Sequence, residues 1–308
     1  MIPEAVVRRI SAIFATAFAL LLPGLSGAQP AAPEPAQSPA GTETIVVTGD
    51  RRDPVSAFVE DVTVETGDQI AKFATPICPV SLGLPPGHRE VIEARMRQIA
   101  QYLGLGAGAA GCRPNVVVIV AAEGGDFVRQ LRRERPDIFA ALELRELRSI
   151  MRLTGPVRTW QVVEPHGADG RPMRRISFIE SPGGPPRPVS GGYELTGVTA
   201  SLTSRSTRQD LSLSFIVVDL AAIEGLSLLQ IADYAAMRAL ARTEGAGLPA
   251  RRSILTLFGD RAAGAEPVGE LTNWDEAYLR ALYRTSNVVT AHQQRSSMSQ
   301  AMRRELTP

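Results

Sequence analysis

The chain has 308 residues, of which 44% are apolar and 21% are charged, and this composition excludes a disordered or fibrous protein. The formal net charge is +1, so no global field favours nucleic acid or an anionic membrane as a partner. Lys72 is the only lysine, and the arginines are scattered, which favours a compositional bias over an arginine-based anion site.

The first 28 residues have the three parts of a secretory signal peptide. Arg8 and Arg9 give a positive start, residues 10–22 form an apolar stretch, and small residues lead to a cleavage site near Ala28. The apolar stretch is shorter than the roughly 20 residues that a membrane-spanning helix needs. No later segment is long and apolar enough to span a bilayer. We therefore predict a periplasmic or secreted protein.

A linker is predicted over residues 29–54, because this segment is rich in proline and alanine and cannot bury a core. It contains a short β-prone patch made of Ile45, Val46, Val47, Thr48 and Gly49. The surrounding run, ETIVVTGDRRD at residues 43–53, resembles the TonB box of outer-membrane TonB-dependent receptors. The resemblance implies that the patch adds a strand to the sheet of a TonB-like envelope partner. The alternative is a first strand that pairs within its own domain.

The globular part is predicted over residues 55–308 as a single α+β domain. Its first half is predicted to hold a strand at residues 58–64, a helix at 88–103 and a strand at 116–121. That second strand is an unbroken apolar run, which is typical of a strand buried on both faces. Helices follow at 126–135 and 138–153, and further strands are predicted at 157–163, 176–179, 195–203 and 211–220.

Two cysteines, Cys78 and Cys112, lie in the exported part of the chain. An even pair in an oxidising compartment favours a disulfide. A metal pair or a redox dithiol is the alternative, but the two residues lack C-x-x-C spacing and have no histidine beside them.

The best-defined helix is predicted over residues 228–242, where Ser227 and Gln230 have the spacing of a capping box. It is apolar nearly all round, so it should be central and buried. Asp233 and Tyr234 lie in its middle, and a buried acid must be paired or protonated. These two residues are candidate site residues in a cleft. The alternative is an acid bonded to an arginine or to the backbone of a neighbouring loop. Further helices are predicted after Thr272 and at residues 286–306.

Complete catalytic motifs are absent from the sequence, which contains no H-E-x-x-H, G-x-S-x-G or P-loop. The three histidines, His88, His166 and His292, are far apart and have no ligand partners nearby, so neither a metal nor a cofactor is predicted.

Several segments, taken in chain order, resemble a family of exported proteins of alphaproteobacteria. These segments are FVEDVTV, QIAKFATPICPVSLGL, CRPNVVVIV, VRTWQVVEP, FIVVDLAAIEGLSLLQIADYAAMRALA, SILTLFGD and LTNWDEAYLRALY. This resemblance implies export and one domain. The last third also resembles zincin-like domains, which have a metallopeptidase fold. In active zincins the central helix carries two histidines and a glutamate, whereas the matching helix here reads LQIADYAAMRALA. A zincin-like fold would therefore have a degenerate metal site.

Together these features predict a non-catalytic binding or envelope-associated module of the periplasm. The first alternative is a divergent secreted hydrolase that would use Asp233, Tyr234, His166 and His292. The second is a purely structural periplasmic protein.

Overall fold

In a computed structural model of the chain, the described residues are 53–109, 111–175, 178–180, 187–189, 193–194, 204–244, 248–249, 252–259 and 267–307. The predicted signal peptide, the TonB-box-like patch and the predicted strand at 195–203 lie outside these residues. The described part forms a mixed domain of helices and a largely parallel sheet, which confirms the predicted fold class.

The central sheet has five strands: β1 (Lys72–Phe73), β2 (Pro79–Leu82), β3 (Val116–Ala121), β4 (Val157–Gly167) and β9 (Thr207–Asp219). Strand β9 pairs with β4 in antiparallel fashion along one edge. Along its other edge it pairs in parallel first with β1 and then with β3, which in turn pairs in parallel with β2. Two short pairs stand apart from this sheet, β5 (Arg174–Arg175) with β8 (Tyr193–Glu194) and β6 (Phe178–Glu180) with β7 (Arg187–Val189).

Helices cover both faces of the sheet. One face packs against α1 (Pro54–Val62), α2 (Pro86–Tyr102), α5 (Leu228–Leu240), α6 (Asn273–Arg284) and α7 (Ala291–Leu306). The other face packs against α3 (Gly124–Glu134) and α4 (Leu144–Arg152). On this second face Trp160 stacks between Phe139 and Phe215, with ring centroids 5.1 and 4.7 Å away. The apolar run of β3 divides its side chains between the two cores, as predicted for a strand buried on both faces.

Two secondary-structure predictions are wrong. The strand predicted at residues 58–64 is helix α1, because Asp53 caps its first turn by accepting from the amide of Ser56 and Pro54 fits the first helical position. The buried residues of α1 recur at helical spacing and not in alternation. The helix predicted at 138–153 is divided into a 3₁₀ turn, Pro136–Phe139, and helix α4.

The predicted disulfide between Cys78 and Cys112 is confirmed, with an S–S distance of 2.02 Å and a Cα–Cα distance of 6.0 Å. The disulfide links the segment just before β2 to the segment before β3, so it holds the starts of these two neighbouring parallel strands together. Asn115 supports the same corner, because its side chain accepts from the amide of Cys78 and donates to the carbonyl of Pro76. Among the described helices, none is long and apolar enough to cross a membrane.

Candidate functional site

The predicted site residue Asp233 is completely buried on α5. Its Oδ1 accepts from Arg95 Nε at 2.6 Å, and its Oδ2 accepts from Arg95 Nη2 at 3.0 Å. The same Oδ2 accepts from the backbone amide of Leu271 at 2.9 Å. The hydrogen bonds from Arg95 to this carboxylate raise the pKa of the arginine. Asp233 therefore ties α5 to α2 and to the segment that enters α6.

Tyr234, the second candidate, lies in the core beside Asp233. Its ring packs edge-on against Phe258 with a centroid distance of 4.7 Å, and burial raises the pKa of its hydroxyl. Both residues are thus engaged in contacts that hold the core together.

The histidines of the hydrolase alternative lie on other elements. His166, on β4, has its Nδ1 3.4 Å from Oδ2 of Asp210, an oxygen that also accepts from Arg208 at 2.9 Å. His292 is exposed on α7. Within the described ranges, no hydrogen bond or ion pair joins either histidine to Asp233, and no group of three His, Cys, Asp or Glu side chains is arranged to hold a metal ion.

A groove of about 650 Å³ runs between the C-terminal halves of α6 and α7. Small and hydroxyl-bearing side chains form much of its lining, and two arginines face it, one from each helix. The lining residues are Ala281, Arg284, Thr285, Ser286, Ser297, Ala301, Arg304 and Glu305. We call this feature the α6–α7 groove.

The charge of the α6–α7 groove is dominated by Arg284 and Arg304. Both are exposed, and neither side chain forms an ion pair or hydrogen bond with the part of the chain that the structure describes. The one acid in the lining, Glu305, is paired with Arg280. Two guanidinium groups can therefore bind a ligand, and guanidinium groups form strong hydrogen bonds with carboxylates and phosphates.

The only lysine of the chain lies beside this groove. Lys72 is buried, and its Nζ donates to the carbonyls of Leu282, Tyr283 and Thr285 at 3.0, 3.3 and 2.5 Å. Burial lowers the pKa of Lys72 to about 8, and the nearby carboxylate of Asp210 acts in the opposite direction. Because the C-terminus of a helix carries partial negative charge, the Lys72 ammonium offsets that charge at the end of α6.

Sequence reasoning missed the α6–α7 groove, since Arg284 and Arg304 are separated in the chain and carry no motif. The only sequence signal near the groove is Lys72, the single lysine among 33 basic residues. No protein-family model matches the chain, and neither the curated proteins nor the solved structures contain a significant match to it. The resemblances to exported alphaproteobacterial proteins, zincin-like domains and the TonB box therefore stay predictions.

Proposed function

We propose that the protein is a non-catalytic, envelope-associated binding module that holds an anionic ligand in the α6–α7 groove. The observation that carries the proposal is the pair of exposed arginines, Arg284 and Arg304, facing one groove without an internal partner among the described residues. A volume of about 650 Å³ suits a small molecule or a short carboxylate-bearing chain end.

The buried acids of the helical layer support a binding role over a hydrolytic one. Both oxygens of Asp233 are held by Arg95 and by the amide of Leu271. Asp275 accepts from Ser253 and from the amide of Ile254, as well as from Thr272. Burial raises the pKa of Asp275, while these hydrogen bonds lower it. Both acids thus join elements of the fold, and neither has an oxygen left to act on a substrate.

The envelope assignment combines the predicted signal peptide with the disulfide, since a disulfide is compatible with an extracellular or periplasmic compartment. A TonB-like partner that contacts Ile45–Gly49 is a further part of the proposal. An affinity pull-down from native envelopes compares the mature protein with a version that lacks residues 44–50. Recovery of TonB only with the intact segment supports the contact, whereas the same partners with both versions argue for a linker or a first strand.

Thermal unfolding tests the α6–α7 groove. Purified mature protein is heated with inorganic phosphate or with citrate, at low and high salt. A ligand at 100 times its Kd adds roughly 2.7 kcal/mol to the free energy of unfolding and raises the melting temperature. We expect one of these anions to raise it for the wild type and for Arg148→Gln, which removes an exposed arginine elsewhere, but not for Arg284→Gln/Arg304→Gln. If the anion raises the melting temperature of all three proteins equally, Arg284 and Arg304 do not bind it.

A further inference from the structure

A second basic surface lies on α4, on the face of the sheet opposite the α6–α7 groove. Arg145, Arg148 and Arg152 are all exposed, and none of their side chains forms an ion pair or hydrogen bond with the described residues. At about 100° of rotation per residue, the three lie within about 60° of arc on one side of the helix. The opposite side carries Leu147 and Ile150, which are buried in the core and fix the orientation of α4.

Exposed leucines flank these arginines. Leu144, at the first position of α4, is 68% exposed, and Leu153, at its C-terminal cap, is 43% exposed. An open hollow of about 490 Å³ lies on this side of α4 and is lined by the three arginines, Ser149 and Leu153. We call this surface the α4 arginine face. It therefore combines three cationic side chains with two exposed leucines, one at each end of α4.

We propose that the α4 arginine face docks the protein onto a bilayer that contains anionic phospholipid. Guanidinium groups bind phosphate oxygens in bidentate fashion. An amphipathic helix that lies on a membrane places leucine in the boundary between headgroups and acyl chains and keeps its basic side chains among the headgroups. The apolar side of α4 is buried in the core, so only the exposed Leu144 and Leu153 at its two ends would enter this boundary while the three arginines contact the headgroups. A soluble anion would have no use for these leucines.

Peripheral membrane binding goes beyond the proposed function and is independent of it. The α4 arginine face belongs to the layer of α3 and α4, and the α6–α7 groove belongs to the opposite layer. A ligand can therefore occupy the groove while α4 contacts a membrane. The two surfaces also supply control variants for each other.

Vesicle co-sedimentation tests the docking surface. The mature, disulfide-bonded protein is mixed with vesicles of phosphatidylcholine alone or of phosphatidylcholine mixed with phosphatidylglycerol. Near an anionic membrane surface each arginine strengthens binding roughly fivefold, so three give on the order of a hundredfold. We expect the wild type and Arg284→Gln/Arg304→Gln to bind the phosphatidylglycerol vesicles. The triple variant Arg145→Gln/Arg148→Gln/Arg152→Gln should lose about that factor, and high salt should weaken wild-type binding.

Two further variants separate a membrane from a soluble polyanion. Leu144→Ser/Leu153→Ser keeps the arginines and should weaken vesicle binding while leaving binding to heparin unchanged. The single variant Arg148→Gln should weaken vesicle binding about fivefold, and it serves if the triple variant fails to fold. Absence of binding to phosphatidylglycerol vesicles, or equal binding by the wild type and the arginine variants, overturns the proposal. Loss of heparin and vesicle binding in the arginine variants, with no effect of the leucine variant, assigns the face to a soluble polyanion instead.

Discussion

Replacing Asp233 by asparagine should destabilise the fold by about 2–3 kcal/mol. Asparagine has nearly the same shape, and its oxygen can take the place of Oδ2 and keep the bonds from Arg95 Nη2 and from the amide of Leu271. Its amide nitrogen then faces Arg95 Nε, where Oδ1 now accepts at 2.6 Å. One charge-assisted hydrogen bond, typically worth about 1.5–3 kcal/mol, is lost together with the negative charge. The Arg95 side chain is 22% exposed and its Nη2 also lies 3.9 Å from Glu270, so water and that carboxylate compensate part of the lost pairing.

Urea unfolding followed by tryptophan fluorescence measures this change, since Trp160 and Trp274 report on the two cores on opposite faces of the sheet. For a domain of this size the loss corresponds to a melting temperature lower by about 5–10 °C. The control is Arg97→Gln on the same helix, because Arg97 forms a partly exposed pair with Glu93 and a hydrogen bond to the carbonyl of Pro79, both at a long 3.4 Å. That variant should lose less than about 1 kcal/mol.

The single variant Arg95→Met and the double variant Arg95→Met/Asp233→Asn complete the cycle. The double variant removes both charges, so it should be less destabilised than the sum of the two single changes. An unchanged unfolding midpoint for Asp233→Asn would refute the structural role of the carboxylate. Asp233 would then return as a candidate site residue.

Three further changes test other parts of the structure. Cys112→Ser should lower stability by about 3–4 kcal/mol under non-reducing conditions, and an unchanged melting temperature or two free thiols in the wild type would contradict the disulfide. The folded-state pKa of Lys72, about 8, lies below its ordinary value of 10.5, so the folded chain loses this proton first as pH rises. Between pH 8 and 9.5 the wild type should therefore gain about 1.5 kcal/mol relative to Lys72→Met in urea unfolding, whereas parallel pH curves would contradict the lowered pKa. Gly124→Ala should destabilise by about 1–3 kcal/mol, because its new Cβ would clash with Oδ1 of Asp219, while the control Gly155→Ala meets nothing within 4 Å. Equal melting temperatures for the two glycine variants would contradict a tight contact between Gly124 and Asp219.

Local signals in the sequence predicted much of the fold. The capping box of Ser227 and Gln230 at the start of α5 is present as predicted, since a capping box is formed by residues three apart. The burial of Asp233 could also be predicted, because a helix that is apolar nearly all round leaves its polar residues no route to water. The strand predicted around Phe58 was wrong because the β-prone residues there form an amphipathic helix. The N-cap and the packing of its apolar side outweigh their intrinsic preference for a strand.

Long-range partners could not be predicted. Arg95 and Asp233 are 138 residues apart, and no local pattern selects one arginine among so many. The placement of Arg284 and Arg304 in one groove depends on how α6 packs against α7, so two of the arginines scattered along the chain come to line the same groove. The position of Lys72 under the end of α6 depends likewise on the pairing of β1 with β9.

Isothermal titration of the mature protein with the anion, phosphate or citrate, that raises its melting temperature most would measure binding in the α6–α7 groove directly. We expect saturable binding to one site that weakens at high salt, is lost in Arg284→Gln/Arg304→Gln and is retained in Arg148→Gln. Binding that persists in the double variant, or the absence of saturable binding by either anion, would contradict an anion site between α6 and α7.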